Sequence, residues 1–248
     1  MQNQYVDKGL GGNVQFPDHM LEGTLIRRHR YHADVKLVSG EQLSVHCANA
    51  GSLIGCSSPG SKVLVSSLDS PRRRYQHQLE IIYAGRTPVS IHAGRPMTVV
   101  IEALQQGLIN ELAGYATLRR PDQPSTSGRW GCVLEGNSLR PCHLHVEAVT
   151  AARDGRSLYP DGRYSAGHAY LQELIDLVRE GHRAMIILVA PRSDVESIHL
   201  SDNLDHEYAQ HFRDATARGV EHLAFRAKIS KKTMQLAERL PFNMEPDA

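Results

Sequence analysis

From residue 21 to about 84, apolar and polar positions alternate in short runs. "GTLIRRHRYHADVKLVSGEQLSVHCA" breaks at Ser39-Gly40, and "SPGSKVLVSSLDS" and "HQLEIIYAGRTPVSIH" continue the alternation. Short strands parted by Gly and Pro turns, with no long helix among them, predict a small β-barrel. After Pro88 the period changes. Val100, Leu104, Leu108 and Leu112 recur at i, i+4, i+8 and i+12, which predicts one helix capped at Gly114. "RRPDQPSTSG" reads as loop. "RWGCVLEGNSLRPCHLHVEAVT" reads as a hairpin around Gly-Asn-Ser, and "RDGRSLYPDGRYSAG" as another loop. "HAYLQELIDLVREG" is a helix with Leu171, Leu174, Ile175 and Val178 on one face. "RAMIILVA" is a buried strand, "DHEYAQHFRDATARG" a helix and "VEHLAFRAKI" a last strand.

This order predicts a two-domain α+β/α/β chain. Residues 1–18 are a polar tail with "GLGG", 19–86 a barrel, and 87–248 a mixed sheet flanked by helices. With 248 residues, 41% hydrophobic and 22% charged, each part has enough apolar residues for a core. A net charge of +1 supplies no global field for a polyanion, so nucleic-acid affinity has to come from local clusters. The longest apolar run, "AMIILVAP", is too short to span a bilayer, and the first residues carry no apolar signal region. The expectation is a cytoplasmic protein without membrane contact. Cys47, Cys56, Cys132 and Cys142 form no C-x-x-C pair, which fits free buried thiols in a reducing compartment.

Two patterns carry candidate chemistry. In "PCHLHVEAVT" the residues His143, His145 and Glu147 are two apart, so a strand turns all three to one face. That is a metal-ligand spacing, and it is also an ordinary polar strand face. The second pattern is basic and aromatic. Arg27, Arg28 and Arg30 adjoin Tyr31, and Arg72, Arg73 and Arg74 adjoin Tyr75. Arginines beside rings on a barrel surface suit a single strand, with charge along the backbone and rings against bases. The alternative is a pair of solvated turns. His46 and Asn49 in "VHCANAGS" are candidate pocket residues, unless Asn-Ala-Gly is a turn that needs a left-handed backbone.

Several patches, in order, resemble the sugar fermentation stimulation protein A family. They are "ADVKLVSGEQLSVHCANAGSLIGCSSPG", "PRRRYQHQLE", "EALQQGLINELAGY", "YPDG" and "DHEYAQHF…ARGVEHLAFRAKIS", and together they run from about 21 to 241. The resemblance implies an N-terminal OB-fold, a C-terminal PD-(D/E)xK nuclease-like domain and DNA binding. The departures gather where the family's chemistry would be. Its catalytic Asp falls on Gly131, its Glu on His145 and its Lys on Glu147. Further departures fall on Met97, Arg120, Tyr164, Ala166, Ala169 and Tyr170.

In the intact motif two carboxylates hold Mg²⁺ and the Lys steadies the attacking water. Gly131 offers no ligand, His145 offers nitrogen, and Glu147 reverses the charge. Magnesium-dependent hydrolysis by that route is not expected, and no cofactor is. If a metal does bind, it is a transition metal, manganese or zinc, at His145 and Glu147, completed by His143, Glu102 or Asp161. The sequence thus reads as a nucleic-acid-binding protein, DNA first, with a degenerate nuclease site. Two alternatives stay open: a metal-dependent enzyme with a rebuilt His/Glu site, and a regulatory scaffold that binds a protein partner.

Overall fold

The computed structural model describes residues 14–68, 72–119, 131–163 and 167–246. The chain opens with β1 (Val14–Gln15). Then come β2 (Met20–Arg28), β3 (His32–Leu37), β4 (Gln42–His46), β5 (Lys62–Ser67), β6 (His77–Ala84) and β7 (Thr87–Ser90). Strands β4, β3, β2, β5 and β6 pair in that order, and a parallel pairing of His46 with Gln78 returns β6 to β4. The five strands therefore close into a barrel, the OB arrangement, which leaves few sheet edges open. Alternation drives this. Leu25, Ala33, Val35 and Val45 point inward, joined by Val63, Val65, Leu79 and Ile82. β7 adds to the edge of β6, so barrel pairing runs on to Ser90.

The second domain continues with α1 (Arg95–Gln105), β8 (Thr117–Arg119), β9 (Cys132–Glu135), β10 (Cys142–Ala148), β11 (Ala152–Arg153) and β12 (Arg156–Tyr159). It ends with α2 (Gly167–Arg179), β13 (Arg183–Ala190), β14 (Ser197–Leu200), α3 (Asp202–Ala217), β15 (Glu221–Ile229), β16 (Thr233–Arg239) and β17 (Phe242–Asn243). Seven strands form a mixed sheet in the order β1-β16-β15-β13-β10-β9-β8, with β10, β13 and β15 parallel. A smaller sheet runs β11-β12-β14-β17.

The central strand β13 is apolar throughout because both faces are covered. Met185, Ile187 and Val189 meet Val99, Val100 and Ala103 of α1, while Ala184, Ile186 and Leu188 meet Tyr170, Leu171 and Leu174 of α2. The first of these cores also takes in Leu64 and Ile81, the outward residues of β5 and β6. Those barrel strands are thus buried on both sides, which joins the two domains. A buried ion pair reinforces the joint: Arg95 donates to Glu80 Oε2 from Nε at 3.0 Å and from Nη2 at 2.7 Å.

The structure departs from the sequence expectation in four places. The first helix stops at Gln105, not Gly114. Gly107 takes φ +68°, its N–H donates to Leu104 O, and the Leu108 N–H donates to Ala103 O. This is a helix-ending loop that favours glycine, and it leaves Leu108 60% exposed. Leu112 regains the core through a short 3-10 turn at Asn110–Leu112. Next, residues 14–16 are not loose. β1 pairs with β16 and Phe16 is buried, with the Arg95 guanidinium over its ring at 4.6 Å. The stretch read as loop after 150 carries β11 and β12. Finally, an unexpected strand β14 lies between β13 and α3, and β16 and β17 follow the expected last strand. Short half-polar strands have too little period to be read singly.

All four cysteines are buried, and none is in a disulfide. Burial pushes the Cys56 thiol up to about 12 and the Cys142 thiol up to about 11, so neither is reactive near neutrality.

Candidate functional site

On β10 the period-2 reading holds. Cys142, Leu144 and Val146 pack toward α1, and the opposite face carries His143, His145 and Glu147. His145 Nε2 lies 2.9 Å from Glu147 Oε1, and both side chains are largely buried. The Tyr170 ring lies against the His145 imidazole at 4.3 Å between centroids. His145 Nδ1 is buried with no hydrogen-bond partner. Gly131 sits beside it. A Cβ at Gly131 would come within 2.6 Å of Leu144 O and about 4.0 Å of His145 Nδ1. The close approach of the β9 and β10 backbones therefore requires glycine at the position where the resemblance puts a catalytic carboxylate.

The other proposed ligands do not join this pair. Among the described residues, no third His, Cys, Asp or Glu shares a compact ligand cluster with His145 and Glu147. Glu102 belongs to α1, which covers the opposite face of β10. Burial raises its carboxyl. His143 turns its edge to His182, with centroids 5.1 Å apart. Burial first, then the neighbouring His182 charge, lowers it. Asp161 is committed to the barrel. Its Oδ1 accepts from the Ser52 N–H at 2.9 Å, the Leu53 N–H at 3.2 Å and the Ser52 hydroxyl. Arg120, Tyr164 and Ala166 lie outside the described residues, as does the loop at 120–130.

Asn49 is a joint and not a left-handed turn. Its Oδ1 accepts from the Gly51 N–H at 2.8 Å, and its Nδ2 donates to Thr150 Oγ1 at 3.1 Å, tying the barrel loop to the second domain. Among the described residues with positive φ, neither Asn49 nor Gly51 is found. Arg28 serves the same loop. Its Nη2 donates to Asn49 O at 2.7 Å, so this arginine is turned inward while Arg27 and Arg30 remain exposed.

The two basic segments meet on the barrel. The His29 and His32 rings stack at 4.2 Å and 7°, His32 stacks on Tyr75 at 5.5 Å and 13°, and Tyr75 on His46 at 6.5 Å and 27°. Four rings thus form one column, drawn from the β2–β3 turn, the start of β3, the approach to β6 and the end of β4. Barrel closure builds it, because His32 pairs with His46 across β3–β4 and His46 pairs with Gln78 across β4–β6. Arg74 lies over the Tyr75 ring at 5.3 Å, and Arg30 over Tyr31 at 5.3 Å. Arg72, Arg73 and Arg74 are exposed beside the column.

Sequence reasoning found Tyr75 and the arginines but passed over His29 and His32 as ring donors. A signal was present. The two histidines flank a two-residue turn, and the His29 N–H donates to His32 O at 2.8 Å, which sets them face to face. Asp34, at the foot of the column, accepts from Ser44 at 2.6 Å and lies 3.2 Å from His29 Nε2. The Ser44 hydrogen bond, and after it His29, holds its carboxyl below the usual range.

Comparisons with known proteins agree with this architecture. Residues 94–233 match the family model described as "Sugar fermentation stimulation protein RE domain", and residues 25–91 match the N-terminal OB domain of the same family. The chain is 36% identical to a sugar fermentation stimulation protein homolog of Geotalea uraniireducens over 232 residues, 93% of this chain and 100% of the relative. It is 39% identical to the homolog of Pelobacter propionicus over 223 residues, 90% and 96% of the two chains. Among solved structures, Pyrococcus furiosus SfsA in complex with Ca2+ superposes with a TM-score of 0.79 at 18% identity, covering 92% of this chain and 97% of that one. At that identity the likeness is one of fold.

Proposed function

The chain belongs to the sugar fermentation stimulation protein family, and on that premise we propose that it binds nucleic acid, DNA first, on the barrel face, without cleaving it. The observation that carries the reading is the column His29–His32–Tyr75–His46 beside Arg30, Arg72, Arg73 and Arg74. OB barrels bind single strands by stacking bases on rings while cations follow the phosphates. The segments that supply rings and charge, at 29–32, 46 and 72–75, are separate in sequence, yet they share one patch.

The β10 site supports the reading without cleavage. The Pyrococcus furiosus protein was solved with Ca2+, a cation that takes six to eight oxygen ligands. Positions 131, 145 and 147 here supply one carboxylate, and it lies within hydrogen-bond distance of His145. A negative side chain at 147 also repels the phosphodiester that a lysine there would attract. His145 and Glu147 give a transition metal two protein ligands, fewer than a zinc site uses.

The test is an electrophoretic shift with labelled single-stranded DNA, duplex DNA and RNA. Each is incubated in EDTA, Mg²⁺, Mn²⁺ or Zn²⁺ at two salt concentrations. The expected result is a salt-sensitive shift with intact oligonucleotide in every lane. Cleavage that needs Mn²⁺ or Zn²⁺ would instead assign a working metal site to His145 and Glu147. Absence of any shift would remove nucleic acid and leave the scaffold reading.

A further inference from the structure

We propose that His168, Glu207 and His211 form a binding site for one divalent transition cation of the zinc class, bridging α2 and α3. The site is separate from both the β10 strand and the barrel face. His168 is in the first turn of α2, whereas Glu207 and His211 stand at i and i+4 on α3 and so share one helix face.

Two imidazole nitrogens point at one another across the helix interface. His168 Nδ1 and His211 Nδ1 are 3.0 Å apart, and Glu207 Oε1 lies 4.0 Å from His168 Nδ1. Zn–N bonds of about 2.0–2.1 Å at a tetrahedral angle put two ligand nitrogens about 3.3–3.4 Å apart. A side-chain adjustment of a few tenths of an ångström reaches that spacing.

The ring planes decide between this cluster and the other three-donor group, His29, His32 and Asp34. An imidazole binds a cation in its own plane, along the nitrogen lone pair. The His29 and His32 planes are within 7° of parallel and stacked, so they share no point where one ion could sit in both. The His168 and His211 planes stand at 90°, with centroids 4.4 Å apart, and therefore intersect along a line. A small turn of the two rings that brings both lone pairs to one point on that line lets one ion serve both.

Without a cation, two facing unprotonated nitrogens would repel. His211 Nδ1 also lies 2.8 Å from Glu207 O, so one proton on it satisfies that carbonyl and His168 together. Metal binding at Nδ1 shifts that one proton to His211 Nε2, with no net release from the neutral ring, and protonation of either imidazole competes with the metal, which makes the affinity fall with acidity. The donor set of two nitrogens and one carboxylate oxygen suits zinc, cobalt or nickel and leaves a fourth position for water. His168 is half-buried and also meets the Tyr208 ring edge-on at 6.2 Å, while Glu207 and His211 are exposed, so the site is held on one side and open to an entering ion on the other. Bound metal would clamp α2 to α3.

The experiment is a titration of the full chain with Zn²⁺, and with Co²⁺ for its tetrahedral visible absorption, alongside thermal unfolding. The wild type should bind one equivalent, show the tetrahedral cobalt spectrum and gain several degrees in Tm with Zn²⁺. His168→Gln and His211→Gln, which are conservative in size, should lower affinity at least about a hundredfold and abolish the Tm gain. Glu207→Gln should lower affinity about tenfold. His29→Ala and His145→Ala should bind as the wild type does. Three outcomes overturn the proposal: no stoichiometric binding by the wild type, unchanged binding by His211→Gln, or loss of binding on changing His29 or His145.

Discussion

Asp161 of the second domain holds Ser52 of the barrel: the Ser52 N–H and hydroxyl both donate to Asp161 Oδ1, and the Leu53 N–H joins them. Asp161 is thus a joint between domains, in the "YPDG" stretch that the sequence offered as a metal ligand. Hydrogen bonds to a charged group are each worth about 1.5–3 kcal/mol. Burial raises the Asp161 carboxyl and offsets much of that gain, so Asp161→Ala should cost about 3 kcal/mol in urea unfolding. It should leave Zn²⁺ stoichiometry unchanged; a loss of bound metal in that variant would return Asp161 to a ligand role.

Glu80 and Arg95 make the second joint, with side-chain exposures of 2% and 16%. Removing one member of a buried pair strands the other, at a cost of about 3–5 kcal/mol. Glu80→Ala should lower the denaturation midpoint accordingly. Glu80→Gln, which can still accept a hydrogen bond, should cost less, and equal losses in the two variants would mean that the charge alone carries the joint.

His92, His143 and His222 are each lowered from the ordinary histidine value of 6.5, with burial the first cause in all three. The facing groups are Glu80, Arg95 and His46 for His92, and His182, Arg119 and Glu180 for His143. A depressed pKa means the folded state prefers the neutral ring, so the unfolded chain takes up protons first as pH falls. The associated stability is full above about 6.5 and declines as pH drops through the folded values. Tm should fall on acidification from pH 7 to 5, and His143→Gln should flatten the fall. A Tm unchanged over that range would contradict the assignment.

On the barrel, Tyr75→Ala should weaken single-stranded DNA binding about tenfold, the loss of one stacking partner. If Arg73 meets a phosphate in the proposed complex, Arg73→Ala should weaken all sequences alike and reduce the salt slope by about 1. Fluorescence anisotropy at several salt concentrations measures both. Arg28→Ala should act through stability instead, since that guanidinium holds Asn49 O.

Gly131→Ala should destabilise by about 1–3 kcal/mol, because its Cβ would meet Leu144 O at 2.6 Å. For the same reason, restoring an Asp at 131 with Glu at 145 and Lys at 147 should not restore magnesium-dependent cleavage. Cleavage by that triple variant would show that the strands can separate to admit a carboxylate.

The sequence by itself determined the barrel, the buried central strand and the common face of His143, His145 and Glu147. Period-2 alternation, an unbroken apolar run and i, i+2 spacing are local consequences of strand geometry. The sequence did not end α1, because the apolar spacing through Leu108 and Leu112 continues while the left-handed backbone at Gly107 breaks the helix. Only the tertiary structure decided the rest. Closure of β4 on β6 brought His32 to Tyr75, the inward turn of Arg28 took one arginine from the basic cluster, and the packing of α2 on α3 set His168 against His211. Each pairing joins residues far apart in the chain or depends on which way a long side chain turns, and neither leaves a period to read.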